Sequence, residues 1–325
     1  MSRLEIAIVI SLGGSRRYLT GEELGRMCGA SPQRVKQAVA GLVARGYRID
    51  EVPGEGFRLV DAPAVLDGWN IREKLTTDLI GSEIFAFGRV GSTNDVAAAL
   101  ARGGAPDGCL VIAEEQTRGR GRLGRDWYSP PSAGLWFSLV LRPGGRPDIS
   151  AAVSLAAALG VAVALEEKYA IHARIKWPND VVVRRRKICG ILTEAEFAGS
   201  ELNFIVVGIG INLLGRAVDF PPDIREIATS VRMESGGSID RGEVLAAVTE
   251  RIEAKYLDLL EHGFAGIRSE IIERSSLIGR RVRVQTGGGA VEGMAADIDD
   301  LGALVVRRSS GSLERVLAGD VVDMS

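Results

Sequence analysis

The sequence predicts an α+β protein in three parts: a helical segment closed by a β-hairpin, a central region of mixed strands and helices, and a terminal run of short strands. Three observations carry this. Residues 1–61 hold three helical stretches and then two short strand-like runs. Residues 62–275 alternate apolar strand-like runs with long helices, and residues 276–325 hold only short alternating strands between Gly-rich turns. At 325 residues the chain is long enough for two or three domains and a sizeable core.

In the first segment, "LEIAIVISL" (4–12) is apolar enough for a packed helix. Thr20 and Glu23 stand at capping-box spacing and open a second helix. The third spans 31–47, with Ser31 as N-cap, Pro32 at the first helical position and Gly46 as C-cap. Val35, Val39, Leu42 and Val43 share its apolar face. "IDEVPGEGFRLV" (49–60) reads as two strands around a Pro-Gly-Glu-Gly turn, and three helices followed by a hairpin form a winged helix-turn-helix. Between Ser31 and Ile49, Arg34, Lys36, Arg45 and Arg48 face no acidic residue, the bias that a helix meeting DNA phosphates needs. Ser31, Gln33, Arg34, Lys36 and Gln37 are the candidate DNA contacts. The plain alternative is a small packing domain with an exposed basic face.

"APAVLDGWNIREKL" (62–75), with Pro63, connects this segment to the second. There "GCLVIAEEQT", "LWFSLVLRP" and "NFIVVGIGINLL" read as strands, with helices over 92–102, 150–169 and 242–262. "GIGINL" (208–213) lacks the third glycine of a dinucleotide fingerprint, so no such site is read there. "RRVRVQT", "AVEGMAADIDD", "ALVVRR" and "LERVLAGDVV" complete a third segment of a size that suits a small SH3-like barrel.

Composition narrows the chemistry. A net charge of −2 gives no global pull toward nucleic acid or membrane, so any basic function must be local. Cys28, Cys109 and Cys189 are far apart and form no CxxC pair, which points to a reducing compartment and away from disulfides or a cysteine zinc site. With only His172 and His262, a histidine metal cluster or Ser-His-Asp chemistry is not expected, and no metal site is assigned. Met1 to Ile10 carries charges and no small-residue cleavage pattern, and the longest apolar stretch (151–165) falls short of the ~20 residues that span a bilayer. A cytoplasmic protein without membrane contact is expected.

Several polar stretches in the second segment follow or interrupt apolar runs, where ligands commonly bind: "GSTND" (91–95), "EEQTRGRGRLGRDW" (114–127), "KWPND" (176–180), "RKICGIL" (186–192) and "GIGIN" (208–212). Arg118, Arg120, Arg122 and Arg125 sit on a glycine-rich backbone that lets the chain approach a ligand closely, and their planar forks suit carboxylate or phosphate. Taken alone, this run also reads as a solvated basic loop.

At these residues the sequence resembles the biotin protein ligases. The stretch from Gly119 to Arg125 matches that family's GRGRxGR signature, and the STN, KWPND and K-x-x-G-I-L elements occur in the family's order and spacing. Leu123 stands where the repressor-type ligases often carry another arginine, which removes one cation from the loop. The resemblance covers all three segments. It implies a biotin/lipoate-ligase-like catalytic domain between a DNA-binding domain and an SH3-like barrel, as in ligases that also repress the biotin operon. Biotin and MgATP would be the substrates, giving biotinyl-5′-adenylate and pyrophosphate. The lysine of a biotin carboxyl carrier protein domain of acetyl-CoA carboxylase would then take the biotin and release AMP. Operator DNA and a ligand-promoted homodimer are the other implied partners.

By the same resemblance, Ser92, Thr93, Asn94 and Gln116 line the biotin head group, with Gly190 beside it. Arg120, Gly121 and Arg122 cover biotin and its phosphate linkage, Gly121 presenting a backbone N–H. Lys187 bridges the biotin carboxylate and the α-phosphate, Trp127 packs the adenylate pocket, and Asn179 and Asn212 hydrogen-bond adenylate groups. Lys187, Arg122 and Asp180 are the catalytic candidates, Asp180 positioning the incoming amine. Structural readings stand beside these: Ser92-Thr93-Asn94 as a helix cap, Lys187 in an exposed turn, Trp127 and Trp177 as core aromatics, Asp180 bracing a turn. A lipoate or octanoyl transferase, and a ligand-sensing transcription factor without ligase activity, are the alternatives.

Overall fold

The computed structural model of the chain describes residues 3–13, 15, 17–44, 47–61, 66, 68–144 and 149–324. Arg45, Gly46 and Pro63, singled out above, lie outside them. The chain divides into two compact units, Met1–Trp69 and Asn70–Ser325.

The first unit contains α1 (Arg3–Gly13), α2 (Gly21–Cys28), α3 (Pro32–Ala44) and the antiparallel strands β1 (Arg48–Val52) and β2 (Gly56–Asp61). The expected capping box closes α2: Glu23 N donates to Thr20 Oγ1 (3.1 Å) and Thr20 N to Glu23 Oε2 (2.8 Å). Ile8, Leu12, Leu24, Val35, Val39, Leu42 and Phe57 build one core. Val43 corrects the expected apolar face, because it is 49% exposed. One residue past Leu42 advances 100° around the helix, enough to carry Val43 out of the packed stripe.

After α4 (Gly68–Lys74) come β3 (Ile84–Phe87), α5 (Thr93–Arg102), β4 (Cys109–Ala113), β5 (Gly134–Leu141), α6 (Ser150–Tyr169), β6 (Arg174–Lys176), β7 (Asp180–Val183), β8 (Arg186–Ala198) and β9 (Glu201–Asn212). The strands form one seven-stranded sheet in the order β3-β4-β5-β9-β8-β7-β6. Only β3 and β4 are parallel, so the sheet is mixed. β4 and β5 are buried along their whole length, which explains why they are apolar apart from Ser138. Ala97 and Ala101 of α5 pack on Cys109, Val111, Val140 and Phe204.

α7 (Val231–Ser235), α8 (Arg241–His262) and α9 (Ala265–Arg274) follow, and α8 packs along α6. The segment expected to form a barrel contains β10 (Arg281–Thr286), β11 (Gly289–Ile298), β12 (Leu304–Arg307), β13 (Leu313–Val316) and β14 (Asp320–Asp323). These make an antiparallel five-stranded sheet ordered β13-β12-β11-β10-β14. It belongs to the same compact unit as the large sheet. Trp177, almost fully buried, donates its indole N–H to Gly302 O (2.9 Å), so it is a core aromatic fastening the two sheets. Among the described residues no helix is long and apolar enough to cross a membrane.

Candidate active site

The site begins with a patch of sheet that has no side chains. Gly190 of β8 lies opposite Gly210 of β9, and Gly208 lies two residues from Gly210 on the same face. A Cβ at Gly208 would overlap the Asn94 amide, and one at Gly210 would overlap the Trp127 indole. At Gly190 it would come within 2.8 Å of Trp127 Cζ3. The glycines therefore let an indole and an amide lie directly on the sheet. Trp127 is further fixed by an edge-on contact with Trp136, ring centres 6.5 Å apart. Among the described residues its buried indole N–H has no hydrogen-bond partner.

The start of α5 supplies one wall. Ser92 occupies the N-cap position, but its hydroxyl makes no capping bond, which corrects the expected side-chain cap. Thr93 N and Oγ1 both donate to Gln116 Oε1 (2.8 and 3.1 Å), and Gln116 Nε2 donates to Ser129 Oγ (2.9 Å). Asn94 Nδ2 donates to Leu192 O (3.3 Å) and Glu194 Oε2 (2.6 Å), while Ser138 Oγ donates to Asn94 Oδ1 (2.7 Å). The amides of Asn94 and Gln116 are thus held in one orientation before any ligand bond is made.

The arginine loop supplies the rim. Arg118 N donates to Gly91 O (2.8 Å) and Trp127 N to Gly119 O (2.9 Å), so both ends are pinned. Gly121 does not present a free N–H as expected, because that group donates to Arg125 O at 2.7 Å. Leu123 (φ 57°) and Gly124 (φ 74°) both adopt left-handed backbone at the apex, and Leu123 is 73% exposed. A β-carbon is disfavoured there. Arg120 reaches sideways to Asp95 (2.8 Å) and Glu194 (2.9 Å), and Arg125 pairs with Asp320 from β14.

β7 and β8 supply the opposite wall. Lys187 Nζ stands 2.7 Å from Asp180 Oδ2, and Arg122 Nη1 donates to Asn179 Oδ1 (3.2 Å). Asn179 Nδ2 donates to Ile191 O (2.6 Å). Burial pushes the Arg122 guanidinium below its usual pKa, and the Asp180 charge opposes that shift. Ser92, Thr93, Asn94, Gln116, Arg120, Gly121, Arg122, Trp127, Asn179, Asp180, Lys187 and Gly190 all line one cleft of about 740 Å³ including its open mouth.

Asn212 alone of the central candidates falls outside this cleft. Its Nδ2 donates to Thr229 O (3.1 Å), and it lines an adjoining cavity with Trp127, Lys187, Phe220, Ile224 and Ile227. The 213–230 segment is laced to the Lys187 backbone, since Lys187 N donates to Ile227 O (2.7 Å) and Thr229 N to Lys187 O (2.9 Å). In the first unit, Ser31, Gln33, Arg34, Lys36 and Gln37 are all exposed around the start of α3, while Val35 between them is buried.

Comparisons with known proteins point to one family. Residues 87–212 match the biotin/lipoate A/B protein ligase family, and residues 277–322 match the biotin protein ligase C terminal domain. The bifunctional ligase/repressor BirA of Bacillus spizizenii is 33% identical over 319 residues, spanning 98% of each chain. This chain belongs to the biotin protein ligase family. The biotin–[acetyl-CoA-carboxylase] ligase of Paracoccus denitrificans is 36% identical over 231 residues, 69% of this chain and 93% of that one. Among solved structures, the biotin protein ligase from Aquifex aeolicus in complex with biotin and ATP superposes with a TM-score of 0.64 at 31% identity, covering 74% of this chain and 98% of that one.

In this biotin protein ligase the sequence marks the GIGIN stretch without giving its glycines a role, and it leaves two contributors to the site, Glu194 and Asp320, unmarked. Gly208 and Gly210 were visible as an alternating glycine pair in a strand, a known mark of close approach. Glu194 and Asp320 carried no local signal, because only the folded sheets bring them to Asn94 and to the loop.

Proposed function

We propose that this chain is an ATP-dependent biotin–[biotin carboxyl carrier protein] ligase that also acts as a biotin-operon repressor. The observation that carries the reading is the convergence of Lys187 and Arg122 with the Ser92-Thr93-Asn94 and Gln116 polar set in one cleft floored by glycine. The oriented amides and hydroxyls suit a neutral ureido ring, and the two cations suit the carboxylate and phosphate at its far end. The family membership and the full-length similarity to a ligase/repressor support the same reading.

In the first half-reaction a biotin carboxylate oxygen attacks the α-phosphorus of MgATP. The new P–O bond forms as the α–β bridging P–O bond breaks, and pyrophosphate leaves with the electron pair. Two unit charges about 4 Å apart at an effective dielectric near 20 repel by about 4 kcal/mol. That is roughly a thousandfold in rate. Lys187 and Arg122 offset this repulsion. Trp127, whose N–H is unpaired among the described residues, and the apolar side chains of Phe220, Ile224 and Ile227 provide the slot for the adenine ring and ribose, with Asn212 in the same cavity and Asn179 in the adjoining cleft.

In the second half-reaction the carrier lysine amine attacks the acyl carbon, the C–N bond forms, and AMP leaves with the acyl–oxygen electrons. When Lys187 turns from Asp180 to the phosphate, the Asp180 carboxylate is released to orient the amine and accept its proton. Mg²⁺ enters with ATP as part of that substrate.

Three domains carry these roles: residues 1–61 as a winged helix-turn-helix, 62–275 as the catalytic domain and 276–325 as an SH3-like domain. Ser31, Gln33, Arg34, Lys36 and Gln37 meet operator DNA, a homodimer forms when adenylate is bound, and the protein works in the cytoplasm. Biotin-dependent exchange of labelled pyrophosphate into ATP tests the enzyme, and mass spectrometry of a carrier domain incubated with biotin and MgATP tests transfer. Absence of both would reject the ligase and leave a ligand sensor.

A further inference from the structure

Two residues of the cleft wall share one carboxylate that stands outside the cleft. Gly190, Leu192 and Glu194 alternate along β8 on one face, so Glu194 rises from the face that carries the glycine floor. Its Oε2 accepts from Asn94 Nδ2 (2.6 Å) and from Arg120 Nη2 (2.9 Å). Asn94 belongs to the first turn of α5 and Arg120 to the arginine loop, and both line the cleft. Among the described residues, Glu194 is the one side chain that bonds to both.

For Asn94 the consequence is orientation. Its two amide N–H groups are taken up by Leu192 O and Glu194, and Ser138 occupies one lone pair of its oxygen. One lone pair is left for a ligand, so Asn94 accepts there and cannot donate. A carboxylate has no proton to give, which forbids the reversed amide. A charged acceptor also polarises the amide and strengthens its oxygen. For Arg120 the consequence is place. Asp95 holds its guanidinium to α5 at 2.8 Å, and among the described residues only Glu194 ties it to the large sheet. α5 is fastened to β8 again near its last turn, where Arg102 Nε donates to Glu196 Oε2 (2.8 Å), so the helix does not depend on Glu194 for its seat.

We infer that Glu194 is a positioning residue for the ligand at the polar end of the cleft, fixing Asn94 as an acceptor and holding Arg120 beside it. That the ligand is biotin rests on the ligase reading above; the shared carboxylate does not. The ureido ring of biotin carries two N–H groups, which need acceptors, and a reversed Asn94 amide would meet them with its own N–H. Both bonds end at the same oxygen, so losing the carboxylate loosens the loop and frees the amide together. Exposed ion pairs add little to stability, so the effect belongs to ligand affinity and not to melting temperature.

The test uses the full-length protein with Glu194→Ala and Glu194→Gln. Alanine removes both bonds, whereas glutamine keeps an acceptor for Asn94 and loses the charge that holds Arg120. Calorimetric titration with biotin should show affinity weaker by about tenfold or more in Glu194→Ala, which leaves a buried amide donor unsatisfied. The loss in Glu194→Gln should be about threefold, the size of an exposed ion pair. In pyrophosphate exchange the KM for biotin should rise by the same factors while kcat and the KM for ATP hold. On an Arg120→Ala background, Glu194→Gln should cost nothing further. Without ligand, trypsin should cut at the loop arginines faster in both variants than in wild type. Biotin affinity of Glu194→Ala within about twofold of wild type, equal rises in both KM values, or an additive loss with Arg120→Ala overturns the inference while leaving the ligase reading in place. Wild-type protein that binds no biotin, with loop cleavage still faster in both variants, would reject the ligase reading and keep Glu194 as the anchor of the loop.

Discussion

Lys187 is already committed to Asp180 at 2.7 Å, so an anion that recruits it must compete with a carboxylate. That competition makes the charge conditional on substrate and keeps the lysine oriented in the meantime. Replacing Lys187 by Ala removes a cation from the carboxylate–phosphate encounter, and adenylation should fall by ~10²- to 10³-fold. Transfer from supplied biotinyl-adenylate should suffer much less, because the phosphorus chemistry is complete. Single-turnover measurements of the two half-reactions decide this, and equal losses would assign Lys187 a structural role. The glycine floor offers a second test. In Gly210→Ala the new methyl overlaps the Trp127 indole, which must tilt away from the sheet. Overpacking of this kind costs about 1–3 kcal/mol. Tryptophan fluorescence should shift and biotin affinity should fall, whereas a folded variant with wild-type biotin affinity would show that the indole's seat is irrelevant to binding.

Elements hold the site through contacts that are remote in sequence. Glu114, just past β4, accepts two 2.8 Å hydrogen bonds from Arg241 at the start of α8, and both side chains are under 10% exposed. Removing one partner of such a pair leaves a buried charge uncompensated and costs about 3–5 kcal/mol. Arg241→Ala should therefore lower the melting temperature strongly, while the exposed Arg120 pairs should matter little to stability. A small effect of Arg241→Ala in thermal denaturation would mean that water or a rearranged neighbour takes over. This pair also marks where the sequence ceased to be readable. The capping box of α2, the helices at 92–102, 150–169 and 242–262, and the clustered motifs were legible because each depends on neighbours within a few residues. The fate of the Gly121 N–H, the exposure of Val43 and the arrival of Asp320 at the loop depend on how distant elements pack. Local pattern holds no record of that. Hence the site's residue types were readable, while the bonds that already occupy Asn94, Gln116 and Asn212 were not.

The two compact units make the chain's two proposed roles separable, and their coupling can be tested by the ligand. On the repressor reading, one α3 helix with few phosphate contacts would bind DNA weakly, whereas two held in a dimer would occupy paired half-sites and gain affinity together. The coupling therefore needs a part of the catalytic unit that responds to adenylate. The loop of Arg118 to Arg125 and the 213–230 segment are the parts in reach, since the first rims the cleft and the second covers the adjoining cavity. Deleting Met1 to Asp61 should abolish operator binding and leave biotin-dependent pyrophosphate exchange, because every residue assigned to the chemistry lies after Gly91. In the full-length chain, sedimentation and operator binding should change little with biotin alone and rise together with biotin plus ATP. Added carrier domain should reverse both by consuming the adenylate. Operator affinity that is the same with no ligand, with biotin and with biotin plus ATP, at constant mass, would uncouple the two units and leave a ligase that carries an unlinked DNA-binding domain.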